Sequence, residues 1–439
     1  MTTREKAISI VQRLRERGHE AYLAGGCVRD DLLNRPPQDY DIATSALPDE
    51  IQKLFPRTVP VGAQFGVIMV IVEGESFAVS TFRFDGPYLD GRRPSHVRFT
   101  NMREDILRRD FTINGMMYDP EKDAVIDLVG GQEDLRRGIV RAIGDPRRRF
   151  EEDRLRMVRA IRLAAALGFR IDDETLQAIR EQHAHILQVA WERIGEEITR
   201  ILTEGGARRG FELLDATGLL GDILPEVEAM KGVEQSPDYH PEGDVFTHTM
   251  AALGYLERPS ESLAYGCLLH DVAKPVCIER RDNRITFYGH TDRGAEMAVD
   301  ILKRLKRSRA TWERVAYLVK NHLRPTQAPH MRLSTLKRFL AAREIDELLE
   351  LCRIDALAAN GDLRYYEFCR AKLAELKEEE LHPKPLLLGR DLIAMGFKPG
   401  PRFSDILQAV EEAQLSGEIR TKDEAQQWVA ERYLQQEDR

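Results

Sequence analysis

The chain is 439 residues long, 42% hydrophobic and 31% charged, with a formal net charge of −8. That length predicts two to four domains, and no run of about 18 apolar residues is present to span a membrane as a helix. Five scattered cysteines (27, 267, 277, 352, 369) without C-x-x-C spacing exclude a zinc–thiolate site and predict reduced thiols in a cytoplasm.

In chain order, residues 4–17 read as a helix whose charged and apolar residues alternate at helical spacing, without the apolar stretch of a signal peptide. "AYLAG" is a short strand ending at Gly25-Gly26, "VRDDLL" opens a helix, and "YDIAT" is a second strand. A proline-led helix, "PDEIQKLF", precedes an apolar hairpin made of "FGVIMVIVEG" and "SFAVSTFRF". To about residue 130 the pattern is α/β, with a five-stranded head expected. Beyond about 145 nearly every segment is helical: 150–168, 173–182, 189–203, 208–218, 246–257, 261–273, 291–307 and 310–322. Pro/Gly clusters near 219–243 and 382–400 mark boundaries. Residues 136–170 hold eleven arginines against four acids, a stripe able to neutralise a phosphate backbone inside an acidic protein or to form a salt-bridged helix surface.

Chemistry concentrates first in "GGCVRDDLLNRPPQDYDIAT" (25–44). A strand ending in Gly-Gly before a helix leaves backbone N–H groups uncovered, an anion cradle to which Arg29 adds a cation. Asp39 and Asp41, at i and i+2, share one face if both lie on a strand. Their mutual repulsion is relieved by a cation between them, for which Mg²⁺ is the simplest choice. A metal beside a phosphate cradle points to phosphoryl or nucleotidyl transfer.

Two later motifs, "RRDFTING" (108–115) and "EDRLRMVRAIR" (152–162), complete a pattern that resembles the class II nucleotidyltransferase family of tRNA CCA-adding enzymes and bacterial poly(A) polymerases. The resemblance covers about residues 20–225 and implies a polymerase-beta-like head. In it, Gly25, Gly26 and Arg29 hold the triphosphate, Asp39 and Asp41 carry the catalytic Mg²⁺, and Arg109 and Asp110 contact the ribose. Asp153 and Arg156, expected three apart on one helix face, pair with the Watson–Crick edges of C and A in place of a template. Asn114 and Arg159 complete the nucleotide-binding set.

Two positions depart from the family pattern. Ala78 stands where an acid often precedes "TTFR", and Ser95 replaces the acid of "RRPDHV" in a loop from about Phe84 to Arg98. The presence of that loop favours adding the terminal A. The lack of "GRRF" and of a long basic tail favours CCA addition over poly(A) synthesis. A-only addition, CC-only addition and poly(A) synthesis remain alternatives.

A second set of residues, His248, His270-Asp271 and Asp355, has the order of the HD phosphohydrolase superfamily, with His290 and His322 placed to extend it to a second metal or a phosphate. Imidazoles and carboxylates of this kind suit a divalent ion such as Mg, Mn, Ni or Co. The implied chemistry is phosphate-ester hydrolysis, with a 2′,3′-cyclic phosphate at a damaged RNA end as one candidate.

The expected fold is therefore α+β: a nucleotidyltransferase head (1–140), a helical neck and body (141–235), an HD domain (236–380) and a helical tail (381–439). The expected partners are the acceptor stem and 3′ end of tRNA, with CTP and ATP, and no membrane. A phosphohydrolase with an RNA-binding head is the alternative from another class, and a tRNA-binding or chaperone module is a third. Oligomeric state is left open.

Overall fold

The computed structural model describes residues 1–62, 65–85, 97–236, 243–281, 284–376, 381 and 383–434. Most of the expected loop between Phe84 and Arg98, including Ser95, lies outside the described residues, as do the last five residues of the chain. The chain divides into two units, one formed by Met1–Ala229 with Leu256–Arg258 and Lys303–Arg307, the other by Met230–Tyr255, Pro259–Leu302 and Ser308–Arg439.

The first unit opens with helix α1 (Thr3–Arg15), started by a capping box in which Thr2 and Glu5 exchange side-chain-to-backbone bonds. Among the described residues its main sheet has seven strands rather than the expected five: β1 (Ala21–Ala24), β2 (Asp41–Thr44), β3 (Thr58–Gly62), β4 (Val67–Val72), β5 (Glu75–Thr81), β6 (Met116–Asp119) and β7 (Ala124–Asp127), in the order β3-β4-β5-β2-β1-β6-β7. The additional strands are short or half-exposed, so neither a run of apolar residues nor clean alternation marks them. The β4–β5 hairpin turns at Glu73-Gly74, both at positive φ (48° and 84°), the geometry a two-residue hairpin loop requires. Ile42, Ile68, Val79 and Phe82 are buried in this unit.

Register places the chemistry. Ala24, the last residue of β1, pairs with Asp41, the first of β2, so the Gly25-Gly26 bend lies next to that carboxylate. Parallel pairing of Ile42 with Val79 puts Ala78 on β5 directly beside Asp41. Helix α2 (Gly26–Leu32) follows the bend, and α3 (Pro48–Leu54) and α4 (Met102–Leu107) follow in turn. The base of the expected loop is visible as a two-stranded ribbon, Arg83–Asp85 against Val97–Phe99.

Beyond the sheet the chain is mostly helical. The single helix expected over 150–168 is two, α5 (Pro146–Glu152) and α6 (Arg156–Leu167). The break has a local cause: Asp153 adopts an extended conformation at the end of α5, and its Oδ1 takes the Leu155 N–H at 3.2 Å. Helix α7 (Trp191–Thr203) packs against α6, where buried Arg162 reaches Glu197 at 2.7 Å and Glu204 at 2.9 Å.

In the second unit α8 (Val245–Leu253) and α9 (Glu261–Leu269) start at side-chain caps from Asp244 and Ser260, and α9 is buried on all sides. Helices α10 (His290–Arg304), α11 (Arg309–Asn321) and α12 (Ile345–Ala358) follow. A separate apolar cluster including Leu392, Phe397, Ile406, Val410 and Val429 holds the C-terminal helices together. No described helix is long and apolar enough to cross a membrane.

Candidate functional site

In the first unit a cleft of about 400 Å³ is lined by Gly25, Gly26, Asp41, Ser80, Arg83, Arg108, Arg109, Asp110, Asn114, Asp153, Arg156 and Arg159 among others. Gly25 must be glycine: its φ is +81°, and a Cβ there would meet the Arg109 guanidinium at 3.0 Å. Asp39 is not on the strand that was expected to carry both acids. It lies in the segment before β2, and only Asp41 belongs to the strand. Their charges still interact. Burial, followed by the repulsion of Asp39, pushes the Asp41 carboxyl up to about 6. Ala78 leaves the neighbouring strand position without a carboxylate.

Arg29 is not among the lining residues. Its guanidinium forks onto Asp30 at 2.8 and 2.9 Å and donates to Asn114 Oδ1 at 2.7 Å, so it braces the helix after the Gly-Gly bend. Asn114 donates in turn to Asp110 Oδ1 at 3.3 Å, and Asp110 Oδ2 meets Arg159 at 2.7 Å. Burial works to raise Asp110, but Arg159 and Arg156 outweigh it and hold the group below the ordinary carboxylate range.

Arg109 is held by a residue that sequence reasoning missed. Asp105 on α4 is 1% exposed and accepts from Arg108 at 2.6 Å, from Arg109 at 3.1 Å and from the Arg83 backbone N–H at 3.2 Å. Spacings of three and four residues put these side chains on one helical face, a signal present in "EDILRR".

Asp153 and Arg156 both line the cleft, but from the break between α5 and α6, not from one helix face. Arg156 is fixed by Glu152 at 2.6 Å and by the Arg149 and Arg108 carbonyls at 3.1 and 3.2 Å. Asp153 accepts a two-pronged contact from Arg193 on α7, at 3.3 and 2.9 Å. Forty residues of intervening sequence gave no hint of that partner.

The arginine-rich stripe is largely consumed inside the unit. Arg141 pairs with Asp134 and Asp172, Arg147 with Glu181, Arg149 with Glu152, and Arg162 with Glu197 and Glu204.

In the second unit His248, His270, Asp271, His290, His322 and Asp355 come together. His248 Nε2 lies 3.2 Å from His270 Nε2 and 2.9 Å from Asp355 Oδ1, and His270 Nε2 lies 3.2 Å from Asp271 Oδ2. The other oxygen of Asp271 lies 3.6 Å from His290 Nε2 and 3.8 Å from His322 Nε2. Two three-residue groups with ligand geometry result, His248–His270–Asp271 and Asp271–His290–His322, sharing Asp271.

The supporting bonds suit metal binding. Nδ1 of His270, His290 and His322 each contacts the carbonyl three residues earlier, at 2.8, 2.7 and 2.7 Å, which fixes the tautomer and leaves Nε2 as a bare lone pair. Among the described residues Asp271 Oδ1 and His290 Nε2 are buried without a hydrogen-bond partner, which suits groups that a cation would bridge. Burial lowers His322 to about 4, keeping it neutral. Burial also works to raise Asp355, but the His248 hydrogen bond and nearby imidazoles more than reverse it. Lys274, missed from sequence, contacts Asp271 Oδ2 at 2.7 Å and Gln235 Oε1 at 2.6 Å.

Both units resemble parts of known proteins. Residues 21–141 match the poly A polymerase head domain, 168–231 a probable RNA- and SrmB-binding site of polymerase A, and 245–360 the HD domain. A CCA-adding enzyme of Geobacillus sp. (strain WCH70) is 48% identical over 216 residues, 49% of this chain and 53% of the relative. That of Anoxybacillus flavithermus is 46% identical over 228 residues, 52% of this chain and 57% of the relative. The chain thus spans about half the length of these curated relatives. The Bacillus stearothermophilus CCA-adding enzyme in complex with CTP is similar across 100% of this chain and 99% of its own, with a TM-score of 0.75 and 27% identity. A Thermotoga maritima CCA-adding enzyme complexed with tRNA-CCA shares the fold, with a TM-score of 0.56 at 19% identity. In chain order, residues 21–141 thus carry a poly A polymerase head domain, 168–231 an RNA-binding segment like that of polymerase A, and 245–360 an HD domain.

Proposed function

We propose that this protein adds C, C and A to the 3′ end of tRNA without a nucleic-acid template, using CTP and ATP, in the cytoplasm. The observation that carries the reading is the meeting of a bare Gly-Gly bend, Asp41, the Arg109–Asp110 motif and the Asp153–Arg156 pair in one cleft. Asp39 and Asp41 would hold Mg²⁺, which when bound neutralises charge on the triphosphate and the entering oxygen. The 3′-hydroxyl oxygen of the RNA bonds to the α-phosphorus, the bond from that phosphorus to the bridging α–β oxygen breaks, pyrophosphate leaves, and the hydroxyl proton passes to solvent. Gly25 and Gly26 let the triphosphate approach the backbone, Asp110 and Arg109 lie where a ribose would be met, and Asp153 and Arg156 offer an acceptor and a donor to the base. The head, neck and body, HD domain and tail divide at about residues 140, 235 and 380 in this reading.

The HD cluster would hold a divalent ion on His248, His270, Asp271 and Asp355, and a second on Asp271, His290 and His322. Phosphate-ester hydrolysis at RNA ends is its expected activity. Buried neutral imidazoles around a shared carboxylate support it.

The test is extension of tRNA lacking its 3′ end with CTP, ATP and both. Growth by three nucleotides supports the reading. Growth by one indicates A addition, by two CC addition, and long ladders poly(A) synthesis. Asp39→Ala and Asp41→Ala should abolish extension. Ala78 favours one competing reading, in which the head only binds RNA and the HD site does the chemistry. Unchanged extension in Asp39→Ala with loss in His270→Ala would establish that alternative.

A further inference from the structure

We propose that Arg193 is a positioning residue for nucleotide selection, setting the orientation of Asp153 from helix α7. This rests on the proposed role of Asp153 and Arg156 in reading the base.

The two base-facing residues are anchored differently. Arg156 is gripped by an acid and two carbonyls close in sequence or on the RRDF segment. Asp153 sits in extended backbone at a helix break, where, among the described residues, the Leu155 N–H and the Arg193 fork hold its carboxylate. A carboxylate at such a break has two free side-chain torsions, and its two-pronged arginine contact removes that freedom. An aspartate carboxylate accepts hydrogen bonds and does not donate them.

That distinction decides between bases. Cytosine and adenine present an exocyclic amine, a donor that an ionised carboxylate accepts. Uracil and guanine present a carbonyl oxygen at the same place, which meets that carboxylate acceptor to acceptor. A carboxylate free to rotate away no longer rejects them. Arg193 therefore acts on which nucleotide is accepted, through Asp153 and without touching the base.

The experiment measures kcat/KM for CTP, ATP, UTP and GTP on tRNA lacking its 3′ end, with calorimetric binding of CTP and UTP to the full-length protein. Arg193→Met should lower the CTP-to-UTP and ATP-to-GTP ratios about 10- to 100-fold, the loss expected for one charge-assisted hydrogen bond. Arg193→Lys keeps the charge without the fork and should fall between wild type and Arg193→Met. It also decides the matter if Arg193→Met does not fold. Ratios within about twofold of wild type in the folded Arg193 variants, with a collapsed ratio in Asp153→Ala, would overturn the role of Arg193 alone. An unchanged ratio in Asp153→Ala would overturn the base-reading role of Asp153 and this inference with it.

Discussion

Replacing Asp271 with Asn should cost the second unit both of its metal ions, whereas His322→Ala or His290→Ala should cost one. The asymmetry follows from geometry: Asp271 uses one oxygen towards His270 and the other towards His290 and His322, and both ligand groups contain it. Head-bound metal is silenced by an Asp39→Asn/Asp41→Asn background, and Mn²⁺ uptake is followed by calorimetry with the stoichiometry as readout. The expected counts are two ions, one and none. The pH behaviour is fixed by His322. With its value lowered by burial to about 4, some nine-tenths of it is still neutral at pH 5, whereas an ordinary imidazole would be almost wholly protonated. Loss of the second ion should therefore be delayed towards pH 4. Asp271→Asn also strands buried Lys274 without its carboxylate, so unfolding free energy should fall by about 3–5 kcal/mol, less whatever the Gln235 contact retains. Uptake of two ions by the Asp271→Asn protein, or of only one by wild type, would refute the shared-ligand geometry.

Asp105→Asn should raise KM for the nucleoside triphosphate about 10- to 100-fold with kcat changed less, because Arg109 loses its buried acceptor; steady-state kinetics decide it. Arg162→Met should destabilise the first unit by about 3–5 kcal/mol in urea titration while leaving the salt dependence of tRNA binding unchanged, since this arginine is already committed to two acids. Asp41, raised to about 6, titrates with a definite sign. Protonation relieves its burial, so stability contributed by this group increases as pH falls through 6 towards the unfolded value, while Mg²⁺ uptake and nucleotide addition weaken below pH 6. Ala78→Glu should lower the Mg²⁺ concentration needed for half-maximal extension, by placing a carboxylate on β5 directly beside Asp41.

The parts of the fold that depend on neighbours in sequence were readable. The β4–β5 hairpin, the Gly-Gly bend and the HD-domain helices follow from runs, spacing and turn residues. The helix break at Asp153 was not readable, because "EEDRLRMVRAIR" has good helix formers throughout and the deciding acceptor bond is a choice between two local conformations. The six HD residues could be collected by type and order. Their division into two groups around Asp271 depends on where the five helices α8 to α12 meet, which no spacing encodes. Arg193 and Lys274 went unnoticed for a related reason: an ion pair across 40 residues, or a lysine inside an apolar helical stretch, looks the same in sequence as a solvated charge.

The arginine stripe shows how that ambiguity resolves in energetic terms. An arginine can offer its charge to RNA only to the extent that no protein acid has claimed it. Arg162 is buried between Glu197 and Glu204, and freeing it would leave a carboxylate that is 7% exposed without a counter-charge. By contrast Arg148 is 82% exposed and meets Asp145 only at 3.7 Å, a contact weak enough for a phosphate to displace. Counting the stripe as eleven phosphate contacts would predict a steep loss of affinity with salt, since each contact contributes a slope of about 0.7–0.9. Removing the four arginines fastened to Asp134, Asp172, Glu181, Glu152, Glu197 and Glu204, with Arg156 and Arg159 committed to Glu152 and Asp110, leaves five of the eleven and about half the slope. The same pairing that makes this segment rich in arginine thus limits the charge it could offer RNA, and in the proposed reaction places the burden of selectivity on the few side chains that open into the cleft.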